Sequence, residues 1–232
     1  MRILSALAVL TAAALPLAAQ QPNTQKKPPA AQAAGHDHAN ADPDKAVTGG
    51  GTLPAGWSAR TDKDAPMTNV KFAPMGSGFH VTLGPATVLY RAADHANGPF
   101  HTLATFTQTK APMHPEGYGL FIGGQSLNAP TQQYTYFLVR GDGTYLIKRR
   151  DGANTSVIKD WTASPAVVKA DSAGKATNML EIDNKSDPAT VSFKVNGQTV
   201  HSMPADATTK GIVGLRVNHN LDVHVSGFAL HQ

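Results

Sequence analysis

From about Gly49 to the end of the chain, apolar and polar residues alternate in short segments with a period of two. Val81 and Leu83, for example, fall on one side of an extended chain, whereas His80 and Thr82 fall on the other. This period is typical of β-strands that bury one face. No stretch of useful length shows the period of an α-helix, so the pattern predicts an all-β domain.

Strands are predicted at 78–83, 86–91, 100–110, 117–123, 132–140, 145–150, 179–184, 190–195, 198–203, 211–218 and 221–230. Gly141, Asp142 and Gly143 form a tight-turn sequence between two of these segments, and Asn196 with Gly197 forms the strongest hairpin turn in the chain. Many short strands joined by glycine-rich turns favour a two-sheet antiparallel sandwich, or jelly roll.

Residues 1–19 match the pattern of a secretory signal peptide. Arg2 provides the positive start, the apolar run extends over residues 3–17, and Ala18 and Ala19 provide small residues for cleavage. The run is shorter than the ~20 residues of a membrane-spanning helix. We therefore expect an exported protein, periplasmic or extracellular, with no membrane span.

Residues 20–46 are rich in Gln, Pro, Ala, Asn and Asp and show no hydrophobic period, which predicts a disordered linker. The sandwich domain is then expected to occupy residues 47–232. His36, Asp37 and His38 place two imidazoles around a carboxylate inside the linker. A flexible segment does not preorganise a metal site, so a solvated tail is the favoured interpretation.

Charge and composition exclude several classes of function. The formal net charge is +4, but the basic residues are scattered rather than gathered in a stripe with aromatic residues, so we predict no nucleic-acid partner. The chain has no cysteine, which excludes disulfides and thiolate metal ligands. Neither a phosphate-binding loop nor a nucleophile-elbow motif is present.

The second half of the chain resembles a known superfamily. The motifs, in order, are a glycine-rich strand at 117–123, a tyrosine strand running into Gly-Asp-Gly at 134–143, an Asp-Trp-Thr-Ala-Ser-Pro segment within 157–165, a Val-Asn-Gly hairpin at 191–197 and a Val-Gly-Leu strand at 211–216. This order is similar to that of concanavalin A-like, laminin G-like jelly rolls in secreted bacterial proteins. The nearest branch is the group of 3-keto-disaccharide hydrolase-like domains.

The resemblance covers about Gly117 to Leu230 and concerns positions that mark the fold. It implies binding or processing of glycans outside the cytoplasm, in some members with a bound divalent metal such as calcium. None of the branch's catalytic residues can be matched here one by one, so none is carried over.

The tyrosine strand is the candidate ligand-binding element. Tyr134, Tyr136 and Arg140 share one face at period two, and Phe137 and Val139 on the other face suit a core. Tyrosine rings can stack on a sugar while the hydroxyl groups and the guanidinium form hydrogen bonds. The alternative is that the two tyrosines are themselves core residues.

Trp161 is expected to be a packing anchor, with a glycan platform as the alternative.

Catalytic candidates are few. His114 and Glu116 lie in a loop before a glycine-rich strand, where an imidazole and a carboxylate could act as acid, base or metal ligands. Glu181 and Asp183 share a strand face, but in the Glu-x-Asp-x-x-Glu pattern of laminarinase-type enzymes the second glutamate is replaced by Ser186. We expect Glu181 and Asp183 to be solvated.

His219 and His224 flank a turn and are the candidate metal ligands within the domain. The sequence carries no signal for an oligomeric state.

Three functions stay open at this point: a glycan- or ligand-binding module, an enzyme that cleaves glycosides, and a structural or protein-interaction sandwich. The scarcity of acidic residues favours the first and third, and we expect binding.

Overall fold

The computed structural model describes residues 42–232. The predicted signal peptide, residues 20–41 of the predicted linker and the group formed by His36, Asp37 and His38 lie outside these residues. The described part contains fourteen strands and three short 3₁₀ helices, which are Asp62–Asp64, Met67–Asn69 and Ala207–Thr209. No helix within it is long and apolar enough to cross a membrane.

The strands, in chain order, are β1 (Ser58–Thr61), β2 (Val70–Met75), β3 (Gly78–Leu83), β4 (Thr87–Ala96), β5 (His101–Gln108), β6 (Gly117–Gln125), β7 (Gln133–Arg140), β8 (Thr144–Asp151), β9 (Asn154–Ala163), β10 (Ala176–Asp183), β11 (Thr190–Val195), β12 (Gln198–Pro204), β13 (Gly211–Val217) and β14 (Asp222–His231). The first sheet has the order β1-β4-β13-β6-β7-β8-β9, and the second has the order β12-β11-β10-β5-β14-β3-β2. All described pairs are antiparallel. The predicted all-β, two-sheet sandwich is confirmed.

The main core lies between the two sheets, because each strand turns alternate residues toward the other sheet. Phe137 and Val139 on β7 meet Leu180 and Phe193 from the second sheet, and all four side chains are fully buried. The ring centroids of Phe137 and Phe193 lie 5.4 Å apart in an edge-to-face arrangement. The core positions predicted on the tyrosine strand are therefore confirmed.

A second apolar cluster covers the opposite, outer face of the first sheet. It consists of Val88, Tyr90, Phe121, Leu127, Tyr134, Tyr136, Leu138 and Leu146, with Trp161 and Ile212 packed against it. The outer face of the first sheet is therefore largely shielded from solvent. In an antiparallel sheet that packs on one face only, residues at these positions would be in contact with water. Gly117 makes room for this packing, since a Cβ atom there would lie 3.0 Å from the ring of Trp161.

The hairpin turns follow the residues that the sequence singles out. Asn196 and Gly197 both have positive φ, at 50° and 79°, which a two-residue turn between β11 and β12 requires. The turn between β7 and β8 closes when the Gly143 amide donates to the Arg140 carbonyl at 3.1 Å, with Gly143 at a φ of 88°.

Three strands and one boundary differ from the sequence prediction. β1, β2 and β9 were not predicted as strands; β9 is an edge strand whose first five residues are all exposed, so it leaves no alternating pattern. Residues 42–46, expected to belong to the linker, contact the domain. Asn220 accepts a hydrogen bond from the Lys45 amide at 2.8 Å and donates to Asp42 at 2.9 Å.

The inter-sheet core makes a quantitative prediction. Phe137→Ala should lower the free energy of unfolding by about 3–5 kcal/mol, since it removes a fully buried ring and leaves a cavity. Thermal unfolding followed by circular dichroism should show the melting temperature falling by roughly 10 °C. Val157→Ala, at a position that is 49% exposed, is the control and should change the free energy by less than about 0.5 kcal/mol. Equal effects of the two substitutions would contradict this assignment of the core.

Candidate functional site

A buried ion pair occupies the outer face of the first sheet. Arg216 on β13 donates two hydrogen bonds to the Asp62 carboxylate, at 2.8 and 2.7 Å, and one to the Tyr134 hydroxyl at 3.3 Å. Its guanidinium also lies 5.8 Å from the centre of the Tyr136 ring. The Arg216 side chain is 7% exposed, so this planar, bidentate contact is the principal polar anchor of the outer cluster.

The chain segment after β1 places Asp62 over the sheet. The Asp62 amide donates to the Ala86 carbonyl at 2.7 Å, which fixes the segment beside β4. Lys63 and Asp64 both adopt left-handed φ values, at 58° and 52°, a conformation that non-glycine residues rarely adopt. This strained turn is held because the ion pair and the Ala86 contact determine the position of Asp62 on both sides.

The arginines control the titration of Asp62. Burial by itself raises the pKa of this carboxyl group, but the charges of Arg216, Arg150 and Arg60 and the Arg216 hydrogen bond outweigh it and hold the pKa below its ordinary value. Burial works against the charged form of Arg216 as well, yet the carboxylate of Asp62 raises its pKa well above the ordinary value. Asp62 and Arg216 are therefore both charged at neutral pH.

The predicted ligand-binding residues fall into two places. Tyr134 and Tyr136 lie on one face of β7, as predicted, but that face is buried: Tyr134 is fully buried and Tyr136 is 8% exposed. Tyr134 therefore has no free ring face for a sugar, because Phe121 and Tyr136 pack against it with centroids at 5.3 and 5.7 Å. The alternative interpretation, in which both tyrosines pack in the interior, fits this burial.

Arg140 lies at the other end of β7 and remains partly exposed. Its guanidinium lies 4.1 Å from the centre of the Trp161 ring, a cation–π contact. Its Nε donates to Asp142 at 2.7 Å and to Thr144 at 2.9 Å. Trp161 therefore acts as a packing partner, as expected, and Arg140 is held next to the β7–β8 turn.

A cavity of about 300 Å³ opens beside this turn, and we call it the hairpin cavity. Its lining residues are Gln108, Ala111, Pro112, Met113, Pro115, Gly141, Asp142 and Ala170. Gln108 is 1% exposed; its amide nitrogen donates to the Gly174 carbonyl at 2.6 Å, whereas its side-chain oxygen has no partner within residues 42–232. The cavity thus combines an apolar wall with one unpaired acceptor.

In the fold, the candidate catalytic residues and the candidate metal ligands form a different pair from those predicted. Oε2 of Glu116 accepts a hydrogen bond from the Asn218 side-chain amide at 3.2 Å, and Oε1 lies 2.8 Å from Nε2 of His219. His114 is half-buried in the loop between β5 and β6. Glu116, predicted to work with His114, thus lies in contact with a residue predicted to bind metal.

His219 is a clamp between loops. Its other ring nitrogen lies 3.3 Å from Asp44, so it joins the segment before β1 to the loop before β6. The Glu116 hydrogen bond, against an opposing effect of burial, raises the pKa of His219 above its ordinary value. His224, by contrast, lies opposite His80 in the register of β14 and β3. Across residues 42–232, no group of three His, Cys, Asp or Glu side chains is arranged to hold a metal ion.

The pair of carboxylates on β10 is more enclosed than expected. Leu180 and Ile182 face the core as predicted, but Asp183 is 6% exposed rather than solvated, because Lys194 and Ser186 donate to it at 2.9 and 2.7 Å. Burial raises the pKa of Asp183, and these hydrogen bonds more than reverse the effect, so the pKa lies below its ordinary value.

Glu181 is also engaged, since its carboxylate lies 3.0 Å from the His101 ring. His101, Glu181 and Asp183, with Lys185, Ser186 and Lys194, line an open depression of about 330 Å³ on the second sheet.

Three residues that matter here, Asp62, Gln108 and Arg216, could not be identified from the sequence. Asp62 and Arg216 are 154 positions apart, and nothing local to either residue indicates the contact. Gln108 lies two residues before the end of the strand predicted at 100–110 and looks like any polar residue near such an end. A buried charge can be found from the sequence only when its partner is near in the chain.

Comparison with known proteins supports the fold. No protein-family model and no curated protein matches the chain. Among solved structures, the carbohydrate-binding module CBM66 from Bacillus subtilis is similar with a TM-score of 0.55 at 13% identity, over 76% of this chain and 96% of that module. The β-glucanase of Bacillus licheniformis gives a TM-score of 0.49 at 10% identity, over 77% and 92%. Sheep galectin-11 gives 0.43 at 7% identity, over 68% and 100%.

At these identities the likeness is one of fold alone. The described domain has the concanavalin A-like jelly-roll fold, which the motifs of the sequence predicted. The narrower likeness to 3-keto-disaccharide hydrolase-like domains stays a prediction.

The ion pair on the outer face is testable by a mutant cycle. Asp62→Asn should lower the free energy of unfolding by roughly 2–3 kcal/mol, because it leaves the buried Arg216 guanidinium without its counter-charge. Adding Arg216→Met should recover part of this loss, which is non-additivity within one network. Asp64→Asn removes an 82% exposed carboxylate and should cost less than about 1 kcal/mol. Urea unfolding of Asp62→Asn, Arg216→Met, the double variant and Asp64→Asn measures these values, and equal losses for Asp62→Asn and Asp64→Asn would rule out the anchoring role.

The His219 clamp predicts a pH dependence. A pKa raised in the folded state gives stability that is fully present below the unfolded pKa of about 6.5 and is lost as the pH rises through the folded pKa. The melting temperature should therefore fall as the pH rises above about 6.5. Glu116→Gln and His219→Gln should each flatten this step in differential scanning fluorimetry. A step that persists in both variants would assign it to other groups.

Proposed function

We propose that the domain is a non-catalytic carbohydrate-binding module and that its ligand enters the hairpin cavity. The observation that supports this most directly is Gln108, which lines the hairpin cavity and whose buried side-chain oxygen has no hydrogen-bond partner among the described residues. Buried polar atoms are nearly always paired in folded proteins, so an unpaired one in a cavity is a position where a ligand donor fits.

The dimensions and wall of the cavity suit a sugar. A volume of about 300 Å³ is at the lower end of the range for ligand pockets and accommodates a single saccharide unit. Ala111, Pro112, Met113 and Pro115 provide an apolar surface for the carbon-bound hydrogens of a sugar ring. Met113 is 63% exposed, so its flexible side chain can adjust to a bound ring.

Gln108 and Asp142, the polar residues that line the hairpin cavity, carry acceptor groups whose orientations are fixed by hydrogen bonds. The Gly174 contact sets the orientation of the Gln108 amide, whose oxygen accepts no hydrogen bond from the described residues. At the rim, Asp142 receives hydrogen bonds from Arg140 and Thr144, which fix its carboxylate beside the cavity. Sugars carry many hydroxyl donors, so a pair of preorganised acceptors favours this class of ligand.

The fold and the predicted export agree with this role. The CBM66 module shares the architecture over most of both chains, and its name states that it binds carbohydrate. The N-terminal pattern predicts export, and a glycan-binding module is useful where polysaccharides lie outside the cytoplasm.

Binding is favoured over cleavage at this cavity. Glycoside hydrolysis usually requires two carboxyl groups on opposite sides of the scissile bond. The lining of the hairpin cavity includes one carboxylate, Asp142, and both of its oxygens already accept hydrogen bonds.

The depression on the second sheet supports the alternative of an enzyme. Glu181 and Asp183 share it, and His101 contacts Glu181. Release of reducing sugar from a glycoside, abolished by Glu181→Gln and retained by Gln108→Leu, would favour that alternative over the module.

Filling the hairpin cavity with a larger side chain tests the proposed binding function. Ala170→Phe places a ring in the cavity and should weaken binding of neutral oligosaccharides at least tenfold in isothermal titration calorimetry. Ala173→Phe, at an exposed position of the same loop, is the matched control and should bind as the unmodified protein does. Met113→Gln, a milder change in the apolar wall, should reduce affinity without unfolding.

Retained affinity in Ala170→Phe would exclude the hairpin cavity as the site. If no glycan in a broad panel raises the melting temperature, the structural or protein-interaction function becomes the better one.

A further inference from the structure

The outer face of the first sheet carries an excess of positive charge around Tyr136. Four basic side chains surround two carboxylates there; the bases are Arg60, Lys148, Arg150 and Arg216, and the acids are Asp62 and Asp64. Two positive charges are left in excess. Because the middle of this face is apolar and largely dry, the field of these charges is screened less than on an open surface.

Lys148 is the free cation of the group. It lies on β8 directly opposite Tyr136 on β7 and is partly exposed. Among the described residues, neither a hydrogen bond nor an ion pair engages its ammonium group. An unpaired ammonium beside a tyrosine on a sheet face has no structural partner to satisfy, so it is available to an anion.

Arg150 stands beside it on the same face. The two residues are two positions apart on β8, which places their Cα atoms about 7 Å apart. Arg150 donates to the Gly152 carbonyl at 3.2 Å and lies 3.5 Å from Asp62, a carboxylate that Arg216 already holds with two shorter bonds. Its guanidinium is thus only partly neutralised.

The three arginines of this face also have too few hydrogen-bond acceptors for their N–H groups. In the described part of the chain, Arg60, Arg150 and Arg216 each keep a buried Nε–H group without a hydrogen-bond partner. Asp62 is shared by two of them, and Asp64, the partner of Arg60, is 82% exposed and contributes little. An additional anion at this face would therefore be stabilised by cations that the protein's own carboxylates leave incompletely paired.

We propose that this face binds the acidic group, a carboxylate or a sulfate, of an anionic polysaccharide, with Lys148 and Arg150 as the residues that contact it. This rests on the proposed carbohydrate-binding function and gives it a second subsite. Strand β8 connects the two places, because it leads from the hairpin at Asp142 to Arg150 over roughly 25 Å, the length of several sugar units.

The same observations disfavour a nucleic acid on this face. Single-stranded nucleic acids bind where aromatic rings are exposed for base stacking. Tyr90 and Tyr136 are 7% and 8% exposed and Tyr134 is fully buried. Trp161 is partly exposed, but the Arg140 guanidinium lies 4.1 Å from its ring centre and occupies one side of the ring, so this face offers cations and no free aromatic platform. An acidic glycan needs the cations alone.

The test uses the full chain and a charge reversal. Lys148→Glu should reduce affinity for polygalacturonate at least tenfold in isothermal titration calorimetry at low salt, and the affinity of the unmodified protein should fall as NaCl is raised. Lys71→Glu is the matched control, since Lys71 is an exposed lysine on a strand of the second sheet; it should lose less than twofold. Dextran sulfate tests sulfate in place of carboxylate.

The outcomes separate this proposal from the hairpin cavity. Loss of polygalacturonate binding in Lys148→Glu, with neutral-oligosaccharide binding intact, supports the acidic subsite. Neutral binding without any polygalacturonate or dextran sulfate binding overturns this inference and leaves the module standing. Equal losses in Lys148→Glu and Lys71→Glu also overturn it, because they show attraction to net charge alone. Binding of single-stranded DNA as tight as that of polygalacturonate, with the same dependence on Lys148, overturns the choice of ligand class.

Discussion

Burial on both faces of the first sheet is the constraint on which the rest of the structure depends. On β7, Phe137 and Val139 pack toward the second sheet, while Tyr134 and Leu138 pack on the outside, and all four are fully buried. Without disulfides, the domain must be stabilised by packing. A sheet covered on both faces buries more apolar surface than a sheet with one face exposed to solvent. Trp161 and the segment after β1 supply the cover.

The same cover creates the electrostatic features of the outer face. A charged group beneath it loses water and must find a partner, which is why Arg216 holds Asp62 in a bidentate contact and why the strained turn after Asp62 persists. Lys148, which lies farther from this pair, has no such partner among residues 42–232. The packing that stabilises the outer face thus also accounts for the excess positive charge to which the proposed acidic ligand would bind.

The hairpin cavity arises at the edge of the sandwich, where loops rather than strands meet. Its apolar wall comes from the loop before β6, and its acceptors come from Gln108 at the end of β5 and Asp142 in the β7–β8 turn. In the proposed function, a rigid sandwich presents these loops to a sugar without rearranging. The depression near Glu181 has a different character, since its carboxylates are already paired with His101, Lys194 and Ser186.

The sequence by itself determined most of the strands, the main core and the turns, because the face of a residue in a strand is a local property with a period of two. It also determined that Tyr134 and Tyr136 share a face, and its ordered motifs indicated the jelly roll. It missed β9 because an edge strand buries too little to impose a pattern. Only the tertiary structure decided whether the outer face of the tyrosine strand was exposed to solvent or buried. Its burial depends on Trp161 and Leu127, which come from elsewhere in the chain.

The candidate sites belong to the tertiary structure for the same reason. The pairing of Glu116 with His219 spans 103 positions and that of Asp62 with Arg216 spans 154. Hydrogen bonds and ion pairs act over a few ångströms in space, whatever the separation in sequence. Residue types and spacing therefore identified which side chains could do chemistry, and the fold alone decided which of them meet.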